Sequence, residues 1–78
     1  MKINDKTNIY DVDKAFVGEW VNVTFKSGEV KKVFVLDIDI EPDNDIGDAI
    51  IYNTTGSLNY GNDIYLKDID QIEVTSKD

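Results

Sequence analysis

The chain has no cysteine, no histidine and no arginine, and only one proline. Without a thiol it can form no disulfide, no thiolate metal site and no cysteine nucleophile. Without imidazole it has no histidine-based triad, no histidine haem ligand and no side chain that ordinarily titrates near neutral pH. No apolar run approaches the ~20 residues that a membrane-crossing helix needs. The first residues, Met1-Lys2-Ile3-Asn4-Asp5-Lys6, lack the apolar core of a secretory signal, so a cytoplasmic location is expected. The five glycines stand singly, so there is no glycine-rich loop to cradle phosphate. These gaps point away from an enzyme, and no cofactor and no membrane contact are expected.

What is present suits one small domain. Of 78 residues, 41% are hydrophobic, enough for a folded core despite a formal charge of -8. A domain of this length is stable by only about 4–12 kcal/mol. The charge is uneven. Residues 1–36 hold six lysines and five acids, a balance of +1, while residues 37–78 hold two lysines and eleven acids, a balance of -9. Direct binding of nucleic acid is not expected, because neutralising phosphates takes lysine and arginine. The wealth of Lys, Asn, Ile and Asp matches an AT-rich coding sequence, as in a low-GC bacterium or its phages and mobile elements.

Residues 1–8 are polar and read as a flexible segment; residues 9–78 read as a single β-rich domain. Ile9, Val12, Phe16 and Val17 lie at helical spacing, so a short helix is predicted, capped by Thr7 or Asp11 and ended by Gly18. Phe16 is expected to plug the open end of a sheet. From Trp20 the period becomes two: Val21, Val23 and Phe25 face one way, Trp20, Asn22, Thr24 and Lys26 the other. A glycine turn, Lys26-Ser27-Gly28-Glu29, leads into a long strand over 30–40. There Phe34, Leu36, Ile38 and Ile40 are expected on one face, with Val33, Val35, Asp37, Asp39 and Glu41 on the other. Further strands are expected over 49–53 and 64–66, with a shorter one from 58. A 3₁₀ turn over 68–70 then precedes a closing strand over 72–74.

The run Val17-Gly18-Glu19-Trp20-Val21-Asn22-Val23-Thr24-Phe25-Lys26-Ser27-Gly28 resembles the opening strand and glycine turn of SH3-like and Sm-like small barrels. The run Ile64-Tyr65-Leu66-Lys67-Asp68-Ile69-Asp70-Gln71-Ile72-Glu73-Val74 is similar to their closing strand, 3₁₀ turn and strand. The resemblance implies a mainly β fold: a five-stranded barrel with a short N-terminal helix and a 3₁₀ turn before the last strand. Such barrels bind RNA, DNA or proline-rich peptides, or act as oligomeric scaffolds, and fold alone does not choose among these. The late loop, Asn59-Tyr60-Gly61-Asn62-Asp63, departs from RNA-binding members in having no lysine or arginine.

Six carboxylates crowd the twelve residues from Asp37 to Asp48. Asp37, Asp39 and Glu41 alternate along one strand, about 7 Å apart, too wide for one ion unless the strand bends. Neither register of a helix-loop-helix calcium loop fits, since its sixth and twelfth positions fall on Pro42 and Asp48 or on Asn44 and Ile50. A solvated edge that discourages sheet-to-sheet pairing is the plainer reading. The sharper one is a recognition surface for a basic protein, formed by Trp20, Asp37, Asp39, Glu41, Asp43, Asp45, Tyr52 and Tyr65, with aromatic rings bordered by acids. The function expected is a small, acidic, non-enzymatic binding or scaffold module for a protein partner. The alternative is a nucleic-acid mimic that inhibits a DNA- or RNA-binding protein. Self-association through the strand over 49–53 or the last strand is left open.

Overall fold

The computed structural model describes residues 1–40, 47–58 and 61–75. The chain is mainly β, as expected. Helix α1 spans Ile9–Phe16, and five antiparallel strands follow: β1 Trp20–Phe25, β2 Val30–Asp39, β3 Ala49–Asn53, β4 Asn62–Tyr65 and β5 Ile69–Val74. A 3₁₀ turn, Leu66–Asp68, leads into β5. One sheet holds all the strands in the order β4-β3-β2-β1-β5, so the last strand lies beside the first, an order consistent with a small barrel-like domain. Among the described residues no ladder joins β4 to β5.

The helix forms for the predicted reason and with a different cap. Ile9, Val12 and Phe16 are its buried stripe, and it packs on β2. Its N-cap is Asn8, whose side-chain oxygen accepts from the Tyr10 N–H at 2.8 Å. Thr7 serves the preceding turn instead: its hydroxyl accepts from the Asn4 N–H at 2.8 Å. Val17 is the C-cap, and Gly18, at φ +86°, turns the chain into β1.

The core joins Val21 and Val23 of β1, Val33 and Val35 of β2, Ile50, Ile64, Ile69 and Ile72 with the helix stripe and Ile3. The long strand departs from its simple alternation. A bulge between Val35 and Asp37 adds one residue against β3, and an added residue reverses the facing of everything after it. Ile38 therefore packs against the core that Val35 also lines, opposite Ile50. Ile40 lies past the end of β2 and is exposed. Asp37 and Asp39 leave the face of Val33 and Val35 and join that of Phe34.

The first residues of the segment expected to be flexible, 1–8, pair with the sheet. Residues 1–3 lie along the outer edge of β5: the Ile3 N–H donates to the Asp70 carbonyl at 2.9 Å, and the Ile72 N–H to the Met1 carbonyl at 2.9 Å. Ile3 is buried among the core residues, which gives a polar segment one apolar anchor. Two smaller expectations also shift. The 3₁₀ turn comes two residues early, and Ala49–Asn53 is an inner strand, not an edge. Of the short strand expected from 58, Leu58 is exposed and in no strand, and residues 59–60 lie outside the described residues.

Candidate functional site

The hairpin of β1 and β2 sets Trp20 opposite Phe34, and β3 continues the row with Asn53. The rings of Trp20 and Phe34 meet at 5.5 Å between centroids, tilted by 55°, a geometry that suits aromatic quadrupoles. Lys32, two residues before Phe34 and so on the same face, holds its ammonium 5.6 Å above the Trp20 ring. The turn after β3 supplies the other wall. Asn53 ties it down by accepting from the Gly56 N–H at 2.8 Å and donating to the Ser57 carbonyl at 2.6 Å. Gly56 then rests against the indole.

Trp20 remains half-buried. Beside it opens a groove of about 520 Å³, lined by Glu19, Trp20, Lys32, Thr54, Val74 and Thr75 among others. Thr75 closes one end, its N–H and hydroxyl both donating to the Trp20 carbonyl, at 3.0 and 3.2 Å. The groove thus offers an aromatic face, one cation, one anion, hydroxyls and an aliphatic side chain. That set offers stacking, charged and hydrogen-bonding contacts to whatever docks there.

Gly56 allows a direct check of this wall. It sits at φ +79°, and a Cβ there would come 3.2 Å from Cζ2 of Trp20. Gly56→Ala is expected to cost about 1–3 kcal/mol through the left-handed backbone alone. It should also shift the emission of Trp20, the one tryptophan of the chain. Unchanged emission and an unchanged urea midpoint would mean that the turn does not rest on the ring.

The other described members of the predicted surface do not assemble around Trp20. Tyr52 stands opposite Val35 and leans on the core, with the Lys31 ammonium 5.8 Å over its ring. Tyr65 falls in the row Asp39–Ala49–Tyr65. Alternation along β3 and β4 thus puts Tyr52 and Tyr65 on opposite faces, which corrects the shared aromatic patch. Tyr65 and Trp20 take the same face, but their rows lie four positions apart on β3, roughly 13 Å at ~3.3 Å per residue. Asp37 and Asp39 do share a face. The row Asp37–Ile51–Asp63 adds a carboxylate that spacing did not single out. The Asp37 carboxylate accepts from the Ile38 N–H at 2.8 Å. Glu41, Asp43 and Asp45 lie outside the described residues.

Among the described residues no group of three or more carboxylates converges so as to hold a metal ion. No described helix is long and apolar enough to cross a membrane. Compared with protein-family models, with curated proteins and with solved structures, the chain matches none.

Proposed function

We propose that this protein is a small, acidic, non-enzymatic binding module that engages a basic protein partner in the cytoplasm. The observation that carries the proposal is the half-exposed Trp20 in a groove with Glu19 and Val74. Tryptophan is enriched among the residues that dominate binding energy, and it keeps few rotamers to lose on docking. The acidic second half of the chain, -9 over residues 37–78, favours and steers a positively charged partner.

The nucleic-acid mimic keeps one observation in its favour, the carboxylates of Asp37, Asp39 and Asp63 on one face of β2, β3 and β4. Against it, the other acids are dispersed: Asp11 on the helix, Glu29 before β2, Asp70 and Glu73 on β5.

The test is affinity capture at moderate salt followed by titration of the captured protein. Three baits are compared: wild type, Trp20→Ala, and a double variant with Asp37→Asn and Asp39→Asn. Trp20→Ala is expected to weaken binding by about 30-fold or more, the size of a hot-spot loss of ~2 kcal/mol. The double variant should lose only a few-fold, mostly in association rate and its salt dependence. The reverse ranking, with a nucleic-acid-binding protein lost on removing the two carboxylates, would replace this reading by the mimic. A partner indifferent to all three changes would refute both.

A further inference from the structure

The outer edge of β5 is already occupied, and its occupant shows what the edge selects. In the antiparallel ladder with β1, Asp70, Ile72 and Val74 turn their backbone groups away from β1. Residues 1–3 meet two of them. Lys2 pairs with Gln71, the Ile3 N–H donates to Asp70, and Met1 exchanges bonds with Ile72 through its amino group, at 2.7 Å, and its carbonyl. Ile3 enters the core at 5% exposure. The Lys2 ammonium lies 3.5 Å from the Asp70 carboxylate, and the Met1 amino group 4.0 Å from that of Glu73. The seat thus takes an extended, positively charged segment with one branched apolar side chain.

The seat is longer than the pairing that fills it. Val74, the next residue to present its N–H and C=O on this side, has no partner there among the described residues. Its side chain is 45% exposed and lines the Trp20 groove. The β5 edge and the groove are therefore continuous.

We propose that a basic, extended segment of the protein partner adds as a strand to the β5 edge, displacing residues 1–3 and running on past Val74 into the Trp20 groove. The segment carries lysine or arginine at the position of Lys2 and isoleucine or valine at that of Ile3. Residues 1–3 act as a built-in competitor. Strand addition of this kind draws affinity from main-chain bonds and specificity from alternate side chains. The competitor is easily displaced, because a single apolar side chain and two exposed ion pairs must offset the ordering of a polar segment. This inference rests on the binding-module reading and names its mode.

The probe is a ten-residue peptide of alternating Lys and Ile, with an alternating Glu and Ile peptide as control, titrated into the full chain. Amide exchange is read at Ile72 and Val74. The Lys peptide is expected to protect Val74 in the wild type, and the Glu peptide is not. Ile3→Ala weakens the competitor, so the apparent affinity of the Lys peptide should rise about tenfold, in proportion to the open fraction. Lys2→Glu leaves Ile3 seated and fully foldable while reversing the charge beside Asp70; it should raise affinity a few-fold. No protection at Val74 at saturating peptide, or equal affinity in all three proteins, overturns the proposal. So does a concentration-dependent dimer of the wild type with Ile72 still protected, since residues 1–3 of a second copy would then fill the seat. A natural partner that depends on Trp20 but ignores Ile3→Ala would remove strand addition and leave the binding module standing.

Discussion

Phe16→Ala is expected to remove about 3–5 kcal/mol of stability, the usual cost of truncating a buried aromatic. Phe16 is 4% exposed and ends the buried stripe of α1, where the helix packs on β2. Helix α1 has eight residues, far short of the roughly 12–15 that an isolated helix needs to be even marginal in water. Its stability therefore comes from what it covers, and its last buried side chain is the largest of its three. In a domain stable by about 4–12 kcal/mol, this one substitution takes a large part of the whole. Urea unfolding followed by Trp20 emission should show a midpoint lower by roughly 2–5 M, for a slope near 1–1.5 kcal/mol per M. The control is on the same helix. Tyr10 is 58% exposed, and Tyr10→Ala should change stability by no more than about 0.5 kcal/mol. If the two variants unfold together, the helix does not seal the core and the sheet is stable without it.

The contrast between Phe16 and Tyr10 was legible in the sequence, because helical spacing assigns each position to a face before any contact is known. The hairpin was nearly as legible. A three-residue loop, Lys26-Ser27-Gly28, with Gly28 at φ +98°, fixes the register that sets Trp20 opposite Phe34. Counting outward from that glycine would have found both Phe34 and Lys32 as neighbours of the indole. Two kinds of information were not legible. A bulge is a local choice between two pairings of nearly equal energy, and no residue type announces the one at Leu36. Alternation alone therefore sent Ile38 and the aspartates to the wrong faces. The seat of Ile3 depends on β5 being an edge strand. That is a property of strand order, and nothing near residue 3 records it. The aromatic patch failed for a related reason: facing within a strand is local, but Trp20, Tyr52 and Tyr65 come from three strands whose relative register only the folded sheet defines. The acidic cluster illustrates the limit from the other side. Composition found its charge, while only the ladder shows that Asp63 shares a face with Asp37.

Gly61→Ala is expected to destabilise the chain by crowding the sheet rather than by straining its own backbone. Most of the glycines here serve the backbone: Gly18, Gly28, Gly47 and Gly56 all have positive φ. Gly61 does not, and its role is space. A Cβ at this position would press into the Tyr52 carbonyl oxygen and come 2.8 Å from Cδ1 of Leu36. Leu36 is the bulged residue of β2, and Tyr52 pairs with Asn62 as β4 begins. A glycine thus lets three consecutive strands approach where one is bulged. The Leu36 methyl can rotate aside; the carbonyl oxygen cannot move without moving β3. The added methyl is therefore expected to cost about 1–3 kcal/mol, the range for overpacking that shifts backbone. It should also disturb the start of β4 before the rest of the sheet. Amide exchange separates the two effects. In Gly61→Ala the amides of Ile64 in β4 and of Leu66 just after it, which donates to the Asp48 carbonyl, should lose protection at denaturant concentrations where Val21 and Val33 keep theirs. A companion change of Leu36→Ala should recover little, because the carbonyl contact persists. If Leu36→Ala restores full stability, the side chain rather than the backbone sets the limit. If Gly61→Ala alone is silent, β4 does not lie as close to β3 as the register places it.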